Sequence, residues 1–107
     1  MSTPSVSPAP LASGDNNNYV GIGNAGFARI TPDGAGSNLT GIIAPGLDGT
    51  QIVIVNLGGA KLTFVNESGA SIAQNRFRLA RAADVVLGPD EMVTLIYDAT
   101  SQRWRIY

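Results

Sequence analysis

Apolar and polar residues alternate in short bursts along this chain, with glycine, proline and asparagine between them. Tyr19-Val20-Gly21-Ile22 and Gly26-Phe27-Ala28-Arg29-Ile30 are short strand candidates. Thr31-Pro32-Asp33-Gly34 reads as a turn, because proline presets φ and glycine tolerates positive φ. Leu39 to Ile43 is the next strand, closed by Ala44-Pro45-Gly46 and Asp48-Gly49. Gln51 to Leu57 follows, with four consecutive β-branched residues, Ile52-Val53-Ile54-Val55. Such a run predicts cover on both faces, from a core and from a partner sheet or chain. Gly58-Gly59 then reads as a hairpin turn into Lys61 to Val65. Ser71 to Arg81 is expected to be a loop with one helical turn, anchored by Phe77. Asp84 to Leu87 resumes β structure, and Met92 to Asp98 pairs with Trp104 to Tyr107 as a final hairpin. Short strands at regular spacing predict an all-β fold, a small antiparallel β-sandwich or jelly-roll-like domain.

The first eighteen residues break this rhythm. Pro4, Pro8 and Pro10, several serines and Asn16-Asn17-Asn18 make a polar, extended stretch. Residues 1–18 are therefore expected to form an extended or flexible N-terminal arm, with the sandwich over residues 19–107. Val6, Leu11 and Tyr19 are the residues by which such an arm would contact a neighbouring subunit.

Composition narrows the chemistry. The 107 residues include no cysteine and no histidine, and 14% are charged against 44% hydrophobic. Disulfides, thiolate nucleophiles, zinc–sulfur sites and the commonest general base are excluded. Seven basic residues against eight acidic ones leave a formal charge of −1, without the basic surplus that binds phosphates. The longest apolar run, Ile52 to Val55, is too short to cross a bilayer as a helix. The N-terminus lacks the charged and apolar regions of a secretory signal. No nucleic-acid partner, membrane or cofactor is expected. A surface poor in charge and rich in Gly, Asn, Ser and Thr points to burial against other chains.

Candidate motifs mostly reduce to structure. Gly21-Ile22-Gly23-Asn24-Ala25-Gly26 matches a dinucleotide fingerprint, but Pro32 arrives too soon for the helix that motif opens. Close backbone approach explains these glycines instead. Asn38-Leu39-Thr40 and Asn66-Glu67-Ser68 are glycosylation sequons that also suit turns. Asp90 and Glu91 are adjacent in a turn, so they do not form an acid/base pair. No catalytic role is expected for any residue. In extended backbone Arg103 and Arg105 share one face, and Trp104 and Ile106 share the core-facing one. Arg103, Arg105, Arg76 and Tyr107 are the expected interface residues, the arginines because guanidinium suits interface ion pairs. The alternative for the two β-strand arginines is a solvated edge face that discourages aggregation.

A resemblance emerges from the order of these pieces. Leu39-Thr40-Gly41-Ile42, Asp48-Gly49 and Ile52-Val53-Ile54-Val55-Asn56 come first. Leu62-Thr63-Phe64, Glu67-Ser68, Asn75-Arg76-Phe77 and Leu87-Gly88-Pro89 follow. Val93-Thr94-Leu95-Ile96-Tyr97-Asp98 and Arg103-Trp104-Arg105 close the series. Residues 38–107 are thus similar to small β-domains of tailed-bacteriophage virion proteins: capsid decoration (cement) proteins, head fibres and tail-fibre tips. The resemblance implies a virion structural protein and a homotrimer, with no catalytic residue carried over. A short arm before a compact domain favours a cement protein that binds the major capsid protein at the capsid surface and stabilises the shell. The alternatives are a head-fibre or tail-fibre receptor-binding module, and a bacterial carbohydrate-binding β-sandwich.

Overall fold

The computed structural model of the protein describes residues 4–106. Among the described residues there are nine strands: β1 (Ser5–Val6), β2 (Gly14–Asn16), β3 (Phe27–Ile30), β4 (Ser37–Leu39) and β5 (Gln51–Asn56) come first. β6 (Leu62–Phe64), β7 (Val85–Leu87), β8 (Met92–Asp98) and β9 (Arg103–Ile106) complete the set. They form a sandwich of two sheets, one ordered β1-β3-β5-β8-β9 and the other β2-β4-β6-β7. The all-β, two-sheet expectation is met.

The pairing is mixed rather than antiparallel throughout. β1 with β3, β3 with β5, β2 with β4 and β4 with β6 are parallel, while β5–β8, β6–β7 and β8–β9 are antiparallel. The cause is the path of the chain. From β1 to β6 successive strands alternate between the sheets, so each return to a sheet runs in the same direction. A parallel pair needs such a crossover, and here the opposite sheet provides it. Gly58-Gly59 accordingly joins two sheets and is not the hairpin turn expected from its sequence. Asn56, fully buried at the end of β5, holds this passage. Its amide donates to the carbonyls of Ala60 (2.8 Å) and Leu87 (3.0 Å), and its Oδ1 accepts from the Gly58 N–H (2.9 Å). Both polar atoms of its side chain are paired, as burial of an amide requires.

The segment read as an arm lies along its own sandwich. β1 adds to the edge of one sheet and β2 to the edge of the other. Gly26 N–H donates to the Pro4 carbonyl and Leu11 N–H to the Thr31 carbonyl, both at 2.9 Å. Leu11 is buried within the core cluster, and Val6 and Tyr19 pack against it. These three residues thus contact the body of the same chain. A few apolar positions suffice because backbone pairing on both sheet edges orders the segment between them.

Period-two alternation sets the core. Ile52 and Ile54 of β5, Leu95 and Tyr97 of β8 and Trp104 of β9 face Leu39, Leu62, Phe64 and Leu87 of the other sheet. The loop between β6 and β7 contains short 3-10 turns at Ala73–Asn75 and Ala80–Ala82. Phe77 between them is fully buried, edge-on to Phe64 at 5.3 Å between centroids. The loop is anchored by that ring, as its sequence suggested.

Candidate interaction surface

Three features could carry function: an apolar cleft, a carboxylate held by two arginines, and the outer face of the five-stranded sheet. The cleft lies where β3 and β5 begin and has a volume of about 620 Å³. One wall is the glycine-rich stretch from Tyr19 to Gly26, and the other runs from Ile42 to Leu47. Trp104 lies at its base, its indole N–H donating to the Ile42 carbonyl at 2.9 Å and its ring edge-on to Tyr97. Val20, Ile43 and Leu47 stand exposed at the rim, Val20 and Leu47 at more than 70%. The Gly21 position is explained here: a Cβ would come within 2.5 Å of the Tyr19 ring carbon Cζ. Thus the glycine-rich stretch forms a wall that admits an aromatic ring, with no helix after it. Burial raises the Tyr19 hydroxyl pKa above its ordinary value.

The ion cluster ties the β6–β7 loop to β9. Glu67 lies just after β6, in left-handed backbone (φ 47°). Its carboxylate accepts from the Arg103 Nε and, at 3.1 Å, from the Arg78 Nη2. The Arg103 hydrogen bond holds the Glu67 pKa below the usual carboxylate range, against partial desolvation and with help from Arg78. Arg105 reaches Asp98 at 3.4 Å on the neighbouring strand β8. Asp98 is also held below its ordinary pKa, chiefly by the Ser101 hydroxyl that closes the β8–β9 turn.

The expected interface residues separate in the structure. Arg103 and Arg105 do share the outward side of β9, opposite Trp104. Arg103 is nevertheless engaged with Glu67 of its own chain and only 13% of its side chain is exposed. Arg76 donates its Nε to the Ser71 carbonyl at 2.9 Å, inside the β6–β7 loop. Tyr107 lies outside the described residues. Sequence reading missed Glu67 as the partner of Arg103, since 36 positions separate them.

The outer face of the five-stranded sheet is the third feature. Side chains opposite in direction to the core residues include Phe27 and Arg29 on β3, Val53 and Val55 on β5, Met92, Thr94, Ile96 and Asp98 on β8, and Arg103 and Arg105 on β9. The Arg29 guanidinium lies over the Phe27 ring, 4.8 Å from its centroid.

Residues 12–105 match the family model described as the phage depolymerase C-terminal beta sandwich domain. This chain belongs to that family. No curated protein and no solved structure matches it significantly. The phage depolymerase C-terminal sandwich is a structural virion domain, and in depolymerases the catalytic activity resides in other domains. Membership therefore accounts for the two-sheet architecture and assigns the chain to the phage virion, with no choice between head and tail.

Proposed function

We propose that this chain is a non-catalytic attachment and assembly module of a phage tail, acting through its surfaces. The observation that carries this reading is the family match over residues 12–105, to a domain described as the C-terminal sandwich of phage depolymerases. The capsid-cement alternative leaned on an arm free to clasp neighbouring chains. Residues 4–18 are engaged with their own two sheets, which removes that support. The polar side chains that could suggest catalysis have structural partners: Glu67 with Arg103 and Arg78, and Asp98 with Arg105 and the β8–β9 turn. Copy number tests the proposal. Quantitative mass spectrometry of purified virions, with immunogold labelling, should find few copies per particle and place them at the tail. Hundreds of copies over the head would overturn the tail reading in favour of capsid decoration.

A further inference from the structure

β9 pairs with β8 on one side, and its other edge is also taken. There the Trp104 N–H donates to the Arg76 carbonyl and the Arg78 N–H to the Trp104 carbonyl, both at 2.9 Å. Phe77 and Trp104 are parallel bridge partners, so Arg76 lies beside Arg103 and Arg78 beside Arg105. Both aromatic rings are buried, which turns the four flanking arginines to the outer side. Arg76 and Arg103 thus differ in their contacts but are neighbours in place.

Protection of an open strand edge does not account for this block, because the backbone of Arg76 to Arg78 already occupies the edge. Like charges on neighbouring strands also disfavour the fold unless they are offset. Glu67 offsets Arg78 and Arg103 together, and Asp98 offsets Arg105. The block therefore holds four basic and two acidic residues, a net charge of +2. The three basic and six acidic residues outside it leave −3. Arg76, Arg78 and Arg105 each commit one nitrogen to a partner among the described residues. A guanidinium carries five N–H donors, so most of theirs face outward uncommitted.

We infer that this arginine block docks an extended acidic segment of a partner protein, with Asp or Glu at alternate positions. The inference rests on the assembly role proposed above and needs no choice between head and tail. Spacing and charge select the occupant. Alternate residues of an extended chain stand about 6.8 Å apart, which is the separation of Arg76 from Arg78 and of Arg103 from Arg105. Carboxylates at alternate positions of a partner strand repeat at the same distance and suit paired N–H···O bonds to guanidinium. A polyanion that runs on past the block, such as nucleic acid or an acidic glycan, meets the negative charge of the remaining surface. A segment with a few acids ends where the block ends.

The test is fluorescence anisotropy with the full chain and a labelled peptide of alternating glutamate and threonine. A second peptide of the same composition has its glutamates in one block. The alternating peptide should bind the wild type more tightly, and added salt should weaken it. Arg78→Gln combined with Arg105→Gln should weaken binding by about tenfold or more. Lys61→Gln, outside the block, should leave it unchanged. The comparison of the two peptides on the wild type needs no variant, so a double variant that fails to fold does not remove the test. Equal affinity for the two peptides overturns the inference. So does unchanged binding by a folded double variant, or equal binding of single-stranded DNA or an oligouronate. Absence of peptide binding up to about 1 mM also overturns it. Copy counting in virions addresses the assembly role by itself, so the two readings fail separately.

Discussion

Asp15, Asn38, Thr63 and Val86 form a row across the outside of the four-stranded sheet. Phe27, Val53 and Thr94 form the corresponding row across the outside of the five-stranded sheet. The first row satisfies itself: the Asn38 amide donates to Asp15 Oδ1 at 2.9 Å, and water can reach the rest. The second joins Phe27 and Val53 to Thr94, and the row beside it holds Arg29, Val55 and Met92, with Val55 92% covered by its neighbours. Both sheets contribute the same kind of inward row, so the core does not distinguish them. Apolar alternation on one sheet gives way to apolar residues on both sides in the other. Alternation marks a sheet face open to water, and β5 at the centre of its sheet is the strand that departs from it, between Arg29 of β3 and Thr94 of β8 on the outer side.

The largest effect expected from this comparison is between adjacent residues of β5. Ile54→Ala removes a fully buried side chain shared by both sheets and should cost about 2–5 kcal/mol. Val53→Ala, one position away on the outer side, should cost less than about 1 kcal/mol. Urea unfolding measures both. Equal losses would mean that Val53 is as enclosed within one subunit as Ile54, and the distinction between core and outer face would fail.

A smaller effect is expected at Glu67, which joins the loop after the four-stranded sheet to an outward arginine of the other. Glu67→Gln should cost about 0.5–1 kcal/mol near neutral pH, since two guanidiniums share one carboxylate that solvent still screens, 34% of its side chain being exposed. The sign of the pH dependence follows from the lowered pKa. Stability from this carboxylate is present above its unfolded-state pKa, about 4.3, and is lost as pH falls through its lower folded-state pKa. Glu67→Gln should flatten the part of the acid limb due to this group. An acid limb identical to that of the wild type would show that Arg103 is held by other contacts.

These contrasts also explain what the sequence made legible. The β5 run marked a strand at the centre of its sheet, with Ile52 and Ile54 in the core, and the alternation in Arg103-Trp104-Arg105-Ile106 placed Trp104 inward with the two arginines out. Both are local signals of period two. Leu11 was hidden because a lone leucine among prolines and serines carries no periodicity; backbone pairing along both sheet edges orders it. Gly58-Gly59 suited a hairpin, but the buried Asn56 and its bonds to Ala60 and Leu87 decide the crossover. Glu67 met Arg103 only after folding brought distant segments together in left-handed backbone. The cleft was equally hidden, since its walls meet through a bridge between Tyr19 and Ile42, 23 positions apart. Gly41 illustrates the same limit: a Cβ there would sit 2.7 Å from the Asn75 carbonyl oxygen, a contact set by tertiary packing.

The smallest expected effect sharpens the comparison most. Val86 on the outer side of β7 is 52% exposed, an apolar residue on the polar face. β7 is also the edge strand of its sheet, where charge is well tolerated and discourages strand addition. Val86→Lys should therefore change stability by no more than about 0.5 kcal/mol. The same lysine at Val53, which lies between Phe27 and Thr94 at the centre of the other sheet, should cost more. Thermal unfolding of the two variants side by side separates surface hydrophobicity in general from the position of the strand in its sheet. If Val86→Lys cost as much as Val53→Lys, the outer side of β7 would be as enclosed as that of β5, and the contrast between the two outer faces would fail.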